Sequence, residues 1–379
     1  MSEFNYMKTI IAFIKKEVVF VVAFVLACVS SFFVPVSEKY LSYIDFNVLF
    51  LLFAFMVTSA ALRKYGVFDC CADFLCGKVS SVRALCLILV FLCFFFSMLI
   101  TNDVTLLTFV PFTILILQKC SREKYIIYVV VLQTIAANLG SMTTPMGNPQ
   151  NLFMYSAMGI SFADFCRIIC PYTIISGVLL LICIMFVKPE KLTVKTEEGA
   201  VINSKLSCVV FLLMFCLCMA TVLKVVPSWF TALAVLLAGL ILCRDVMLKI
   251  DYVLLLTFTA FFIFTGNVSN IPAVKEFLYG ITSGKEFGMG ICTSQIISNV
   301  PAVLLLFPFS SNAKDLLLGV NIGGCGTIIA SLASLISMKL YLNSGTSTDG
   351  KKYMLVFSLL NVLFLGVLIA AKLIFSAWF

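Results

Sequence analysis

The sequence predicts an all-α polytopic membrane protein made of two inverted repeats, each with a re-entrant hairpin and a broken transmembrane helix. Of the 379 residues, 62% are hydrophobic and only 12% are charged, which would leave a water-soluble protein with large exposed apolar patches. The apolar runs are long and lack the period-two alternation of membrane barrel strands. Similar polar motifs also interrupt hydrophobic segments in both halves of the chain.

The apolar segments predict the membrane-spanning helices. A helix needs about 20 apolar residues to cross a hydrocarbon core of about 30 Å. The first run, at 17–36, lacks a small-residue cleavage site, so we interpret it as a retained helix rather than a removed signal. We expect further spans at 42–62, 125–152, 167–187, 206–224, 229–243, 250–266, 314–340 and 353–376.

The basic residues predict how the chain is threaded through the membrane. The net charge is +8, and most lysines and arginines fall in short loops that share one side of the membrane when the N-terminus is cytoplasmic. Because cytoplasmic loops are enriched in such residues, we expect a cytoplasmic N-terminus and an outside C-terminus in an inner or plasma membrane. This distribution is a topology signal and does not indicate a nucleic-acid partner.

One polar motif occurs as Ile100-Thr101-Asn102-Asp103 and again as Ile297-Ser298-Asn299-Val300. Lipid cannot hydrogen-bond to a hydroxyl or an amide, so these groups must face protein, water or a bound solute. The segment 287–309 has arms of about 11 residues, or about 16 Å, which reach only halfway across a bilayer. It therefore predicts a re-entrant hairpin. The similarity of the two motifs favours a second hairpin at 84–117, although the arms of this segment are longer and would also allow two full crossings.

Two further blocks match in the same order along the chain. Ile44-Asp45-Phe46 resembles Ile250-Asp251-Tyr252, and Asn138-Leu139-Gly140-Ser141 resembles Asn321-Ile322-Gly323-Gly324. Three collinear matches predict a duplication. We expect the first repeat at 1–187, a cytoplasmic linker at 188–205 and the second repeat at 206–379. The threading makes the two hairpins enter from opposite faces, so the repeats are predicted to be inverted.

The Asn138 and Asn321 blocks predict breaks in the helices at 125–152 and 314–340. Prolines remove backbone donors and glycines allow conformations that other residues avoid. Unwound backbone at membrane depth can present carbonyls to cations and amide groups to anions. We therefore predict a substrate and ion site where hairpin tips and breaks meet. Its candidate residues are Thr101, Asn102, Asp103, Asn138, Gly140, Ser141, Thr144, Asn148, Asn151, Ser298, Asn299, Val300, Asn321, Gly323, Gly324 and Thr327.

Asp103 is the only acid that the predicted spans place deep in the membrane. An unpaired carboxylate there must bind a cation, find a partner or carry a proton. If the cation is Na⁺, oxygen donors from Asn102, Asp103 and the backbone around Gly140 are the expected ligands. The chain has no histidine, and its 16 cysteines form no CxxC array, so we expect no zinc, no haem and no catalytic site.

The tips Thr101-Asn102-Asp103 and Ser298-Asn299-Val300-Pro301, together with the two breaks, resemble the ion transporter superfamily. This group includes citrate transporters, divalent anion–sodium symporters, arsenite permeases and related sodium–proton antiporters. The resemblance implies a secondary transporter with two inverted repeats, often a homodimer, that moves its substrate by an elevator-like motion. It also implies that the hairpin tips and helix breaks bind the substrate and the coupling ion.

The sequence departs from this pattern in ways that bear on the substrate. The dicarboxylate branch typically has Ser-Asn-Thr at both tips, whereas the third position here is Asp103 in one tip and Val300 in the other. We expect Na⁺- or H⁺-coupled transport of a small anion or oxyanion such as a di- or tricarboxylate. Asp103 keeps open the alternatives of arsenite or antimonite extrusion and of sodium–proton exchange. The lack of histidine and of paired acids in the membrane argues against a membrane enzyme. A scaffold would not need helix breaks and polar hairpin tips inside lipid.

Overall fold

The computed structural model describes residues 17–67, 70, 79–191, 204–344 and 349–378. Within these ranges the chain forms eighteen α-helices, three short 3₁₀ turns and one isolated β-bridge between Ser81 and Lys191. The prediction of an all-α polytopic membrane protein is confirmed. Most of the predicted linker, 192–203, lies outside the described residues.

The first half contains eight of these helices. Four of them begin at a polar N-cap, Asp45, Ser81, Asn148 or Ser161, whose side chain accepts a backbone hydrogen bond from the residue three positions ahead. The helices are α1 (Val18–Phe33), α2 (Lys39–Tyr43), α3 (Phe46–Lys64), α4 (Val82–Phe96), α5 (Asn102–Lys119), α6 (Ile126–Ser141), α7 (Pro149–Met158) and α8 (Phe162–Met185).

The second half contains the other ten. Ser204, Asp251 and Asn312 cap three of them in the same way. The helices are α9 (Lys205–Val222), α10 (Ser228–Leu242), α11 (Arg244–Met247), α12 (Tyr252–Ser269), α13 (Pro272–Thr282), α14 (Glu286–Ile297), α15 (Asn299–Leu306), α16 (Ala313–Ile322), α17 (Leu332–Leu342) and α18 (Gly350–Trp378).

Several helices are long and apolar enough to cross a membrane. Five pass this test: α3, α6 with the turn before it, α8, α9 and α18. α1 and α10 are shorter apolar helices, and α12 joins α13 at a bend of 106°. The sequence analysis did not predict α13, a largely exposed helix in which only Thr282 is buried. This helix has only 11 residues and includes Lys275 and Glu276, so neither its length nor its composition is typical of a membrane-spanning helix.

The two hairpins pack in a corresponding way. The first arm of each hairpin lies against the first limb of the broken helix in its own half, α4 on α6 and α14 on α16. The second arm of each lies against the second limb of the other half's broken helix, α5 on α17 and α15 on α7. Each hairpin therefore joins both halves, and its tip lies where the halves meet.

The bases of the two hairpins lie beside different halves of the long helix α8. At the end of α8, Arg83 of the first hairpin donates from Nε to the Val187 carbonyl at 2.7 Å. In the first half of α8, Ile168 and Tyr172 share a cavity of about 340 Å³ with Lys314 and Asp315, which follow the second hairpin. Two inverted repeats require this placement; the duplication itself stays a prediction.

Candidate functional site between the hairpin tips

The break between α6 and α7 is held together by asparagine side chains. Asn151 Nδ2 donates to the carbonyls of Ser141 (3.4 Å), Met142 (3.0 Å) and Thr144 (3.2 Å). Asn148 caps α7 and donates from Nδ2 to Ser141 Oγ at 3.0 Å. These carbonyls have lost their helical donors, so the two amides keep buried backbone groups satisfied.

The break between α16 and α17 is held by a side chain that the sequence analysis missed. Gln295, in the first arm of the second hairpin, donates from Nε2 to the carbonyls of Gly323 (2.7 Å) and Cys325 (3.0 Å). Its Oε1 accepts from Thr327 N at 2.7 Å, and its backbone carbonyl accepts from Thr327 Oγ1. Gly326 adopts φ +120°, and a Cβ there would lie 2.2 Å from Gln295 Oε1, so this position requires glycine. A glutamine one turn before a hairpin tip, directly after Thr293 and Ser294, was the available signal.

Asn138 connects the first hairpin tip to the second helix break. Its Oδ1 accepts from Asn102 Nδ2 at 3.2 Å and from Ser331 Oγ at 2.8 Å. Its Nδ2 donates to the Gly324 carbonyl at 3.5 Å and to Ser334 Oγ at 3.4 Å. One amide therefore joins parts of the chain that lie far apart in sequence. The two serines were not predicted, although their spacing of three residues places them on one face of a helix.

The second hairpin tip meets the same break. Ser298 adopts φ +75°, and Asn299 N donates to the Ala330 carbonyl at 3.0 Å. A Cβ on Gly324 would lie 3.0 Å from Asn299 Nδ2, so the two residues are in close contact. Both tips therefore lie at the second break. Val300 follows as a buried residue of α15.

The two breaks also contact each other directly. Asn321 Nδ2 donates to Asn151 Oδ1 at 2.6 Å and to the Leu317 carbonyl at 2.8 Å. Thr144 ties the first break to the turn of the first hairpin by donating to the Met98 carbonyl. The predicted polar residues are thus brought together, but much of their hydrogen-bonding capacity is used within the protein.

Two predicted site glycines serve close helix packing. A Cβ on Gly140 would lie 2.2 Å from the Phe94 carbonyl oxygen, and one on Gly323 would lie 2.9 Å from Ile291 Cα. The Gly140 carbonyl already accepts from Thr143 N at 3.0 Å and from Thr143 Oγ1 at 2.7 Å. The structure therefore does not present Gly140 as an open ligand beside Asn102 and Asp103.

A cavity of about 810 Å³ reaches the first hairpin tip. It lies between α3, α5 and the start of α12, and its lining includes Thr101, Asp103 and Pro149. Asp103 Oδ1 is buried and accepts no hydrogen bond within the described part of the chain. The Asn102 side chain instead accepts from Asp103 N at 2.9 Å and donates to Asn138. Asn321 Oδ1 also lacks a hydrogen-bond partner among the described residues, but Asn321 does not line this cavity, so Asp103 is the predicted site residue that combines an unpartnered oxygen with a position in the cavity wall.

Charged residues line the same cavity farther from the tip. They include Arg63, Lys64 and Lys249, none of which was predicted to have a site role. Lys64 Nζ lies 2.6 Å from Asp245 Oδ1, and this hydrogen bond lowers the pKa of the Asp245 carboxyl. Because this pair is exposed, it contributes little to stability. The sequence analysis had interpreted these lysines and this arginine only as a topology signal.

Four helices begin at the hairpin tips and breaks. α5 begins at Asn102, α7 at Pro149, α15 at Asn299 and α17 at Leu332. The first backbone N–H groups of a helix have no partner within it, and the helix dipole is positive at this end. Asp103 N, Asn151 N and Asn299 N already donate to Asn102 Oδ1, Asn148 Oδ1 and the Ala330 carbonyl, so it is the helix dipoles that make these ends suitable for an anion.

A second cavity, of about 450 Å³, adjoins the start of α3, whereas the larger cavity adjoins the rest of that helix. Leu51 and Leu152 line it, whereas Leu52 and Pro149 line the larger cavity. Several contacts hold its walls together. They are Tyr155 OH to the Val222 carbonyl (3.0 Å), Ser156 Oγ to Asp45 Oδ2 (3.2 Å) and Lys224 Nζ to the Ile160 carbonyl (3.1 Å).

Apolar helices of spanning length around broken helices and polar hairpin tips define a multi-pass membrane protein of the secondary transporter class. Comparison with known proteins agrees. The chain belongs to the citrate transporter family, whose sequence model matches residues 9–316.

Named relatives cover most of the chain. It is 30% identical to an inner membrane protein of Escherichia coli, over 82% of this chain and 84% of that protein. It is 31% identical to an uncharacterized transporter of Methanocaldococcus jannaschii, over 88% and 90% respectively. A 46 kDa membrane protein of Mycobacterium leprae is 28% identical over 80% of both chains.

Proposed function

We propose that this protein is a Na⁺- or H⁺-coupled secondary active transporter of a small anion or oxyanion, such as a di- or tricarboxylate. The observation that carries the proposal is the large cavity that leads to Thr101 and Asp103 at the junction of hairpin tips and helix breaks. The substrate binds at this junction, and two inverted repeats supply its two sides.

The helix starts support an anionic substrate. Four positive helix ends lie at the hairpin tips and helix breaks, and an anion bound there gains favourable electrostatics from their dipoles. The cavity lining carries three basic residues, Arg63, Lys64 and Lys249, and three acids, Asp103, Asp245 and Asp251, so the support for an anion comes from the helix ends and not from the charge of the walls.

Asp103 supports cation coupling. It lies in the first turn of α5, and its Oδ1 has no hydrogen-bond partner among the described residues. An anionic substrate nearby would be repelled by this carboxylate unless Na⁺ or a proton neutralised it. Binding of substrate and cation is therefore linked at this residue, which is the requirement for coupled transport.

The two cavities support an alternating-access mechanism. They adjoin different parts of α3, and the contact of Tyr155 with the Val222 carbonyl ties together the walls of the smaller one. Movement of α5 and α7 against α3 would close the larger cavity and open the smaller one.

A second candidate function is extrusion of arsenite or antimonite, or sodium–proton exchange. The observation that favours it is that site amides donate hydrogen bonds to one another, whereas Asp103 Oδ1, at the cavity, has no hydrogen-bond partner among the described residues. A lone carboxylate favours the binding of a cation or a proton, together with a neutral solute, over the binding of a dianion.

The test is a flux assay on purified protein in proteoliposomes. Citrate, succinate and arsenite are offered separately, each with an inward Na⁺ gradient, an inward proton gradient or neither. The proposal predicts gradient-driven uptake of a carboxylate, whereas driven movement of arsenite alone would select the second candidate.

Asp103→Asn is the variant that tests coupling. It removes the charge with little change in shape, so residual flux should become independent of the Na⁺ gradient and of pH. Asp245→Asn is the matched control: Asp245 lines the same cavity, but its carboxylate pairs with Lys64. Cation dependence that persists in Asp103→Asn, or disappears equally in both variants, would rule out coupling through Asp103.

A further inference from the structure

Pro111 leaves a backbone carbonyl of α5 without its helical donor. The helix runs from Asn102 to Lys119 with Pro111 inside it. Proline has no N–H, so the carbonyl four residues earlier, that of Leu107, cannot form its usual helical hydrogen bond. A polar backbone group in this position needs another donor.

Arg63 provides that donor from a different helix. Its Nη2 donates to the Leu107 carbonyl at 2.6 Å. Arg63, Leu107 and Pro111 all line the large cavity, where α3 and α5 form facing walls. A guanidinium donor makes a stronger hydrogen bond than a neutral one, and its planar shape fixes the direction of approach.

The contact acts on the part of α5 that carries the proposed coupling residue. Asp103 and Leu107 are four residues apart, so they lie one turn from each other on the same face of the helix. Both line the cavity. Fixing Leu107 against α3 therefore also fixes the position of Asp103 relative to the opposite wall.

We propose that Arg63 is a positioning residue for transport: it occupies the carbonyl that Pro111 leaves open and holds the Asp103-bearing helix against α3. The contact belongs to the arrangement in which the large cavity is open. Any arrangement in which α5 shifts along α3 breaks it and leaves the Leu107 carbonyl to water. This inference rests on the proposed function for its significance, but its test needs no substrate.

The experiment is a double-mutant cycle between Arg63 and Pro111, measured by hydrogen–deuterium exchange of the full-length protein in nanodiscs. Arg63→Ala should accelerate exchange of peptides within 101–112 about ten-fold, because the hydrogen bond is charge-assisted. Pro111→Ala restores a backbone N–H that can reach the Leu107 carbonyl. In that background, Arg63→Ala should change exchange less than about two-fold. Equal acceleration in both backgrounds would overturn the proposal.

Lys64→Ala is the matched control, because it removes a neighbouring positive charge that pairs with Asp245 and lines the same cavity. Its effect should be the same with proline or alanine at 111; dependence on residue 111 would contradict the proposal.

If Pro111→Ala does not fold, two Arg63 variants decide the question. Arg63→Lys keeps a charged donor and should retain wild-type exchange, whereas Arg63→Met should accelerate it; equal acceleration in both refutes the role. Because exchange requires neither substrate nor cation, a failed cycle leaves the transport proposal standing. Failed gradient-driven flux with an intact cycle removes the transport proposal alone.

Discussion

At the scale of single residues, the candidate site is a network of amides and hydroxyls with one unpaired acid. Asn102, Asn138, Asn151 and Asn321 each contact a partner from another segment, which keeps buried polar groups satisfied in surroundings that offer no water. Asp103 Oδ1 and Asn321 Oδ1 have no hydrogen-bond partner among the described residues, and of the two residues only Asp103 lines the large cavity. The network fixes the geometry of the site, and the acid is left to interact with what is transported.

Asn138→Leu should destabilise the protein by about 2 kcal/mol, because Asn102, Ser331 and the Gly324 carbonyl lose a buried partner. The measurement is the thermal unfolding midpoint in detergent. Asn361→Leu is the matched control. Asn361 is fully buried too, but its Nδ2 bonds only to the Phe357 carbonyl of its own helix and its Oδ1 has no partner in the described chain. Its replacement should change stability by less than about 0.5 kcal/mol. An equal loss in both variants would show that Asn138 has no special role.

At the scale of helices, glycines allow each hairpin to lie close to the broken helix of its own half. Gly140 meets the backbone of α4, and Gly319 and Gly323 meet the backbone of α14. Small residues let helix backbones approach closely in membranes, where packing rather than the hydrophobic effect drives association. The hairpin tips reach the breaks because these contacts bring the two elements together.

Gly140→Ala should abolish transport and lower the unfolding midpoint. Its Cβ would lie 2.2 Å from the Phe94 carbonyl oxygen, which is backbone and cannot rotate away. Gly177→Ala faces the same phenylalanine, but its Cβ would lie 3.5 Å from Phe94 Cζ, an ordinary contact. We expect wild-type flux and stability for Gly177→Ala. Tolerance of alanine at Gly140 would contradict the packing that the structure gives.

At the scale of the whole molecule, the two halves enclose two cavities that adjoin different parts of α3 and α7. The larger cavity reaches Asp103, and the smaller one is held by contacts between α7 and the α9–α10 connection. In an alternating-access cycle, one cavity narrows as the other widens. The relative strength of the contacts that hold the walls of each cavity sets the populations of the two arrangements.

Tyr155→Phe should shift that balance, because it removes the hydroxyl that donates to the Val222 carbonyl. We expect faster hydrogen exchange at 222–228 and slower exchange along the wall of the larger cavity at 245–251. Tyr172→Phe is the control: Tyr172 is similarly buried and makes a ring contact with Phe375. It should leave both regions unchanged. Faster hydrogen exchange at 222–228 without slower hydrogen exchange at 245–251 would indicate local loosening. It would contradict a coupled change of the two cavities.

The sequence was sufficient for the features that depend on local chemistry. Long apolar runs predicted the helices, and prolines, glycines and isolated polar residues predicted the breaks and turns, because lipid tolerates few ways to satisfy a backbone. It was insufficient for α13, whose short and mixed composition gives no clear signal. It also did not single out Gln295, because a side chain that binds backbone carbonyls across a break looks the same in sequence as one that faces a solute.

By itself, the sequence determined that this is a helical membrane protein with paired hairpins, two broken helices and one acid at a hairpin tip. Only the tertiary structure decided which amide meets which carbonyl, that Gly140 serves packing, and that Arg63 reaches the carbonyl left open by Pro111. The physical reason is that hydropathy and backbone propensity act within one segment. A hydrogen bond between distant segments depends on how the helices are placed in space.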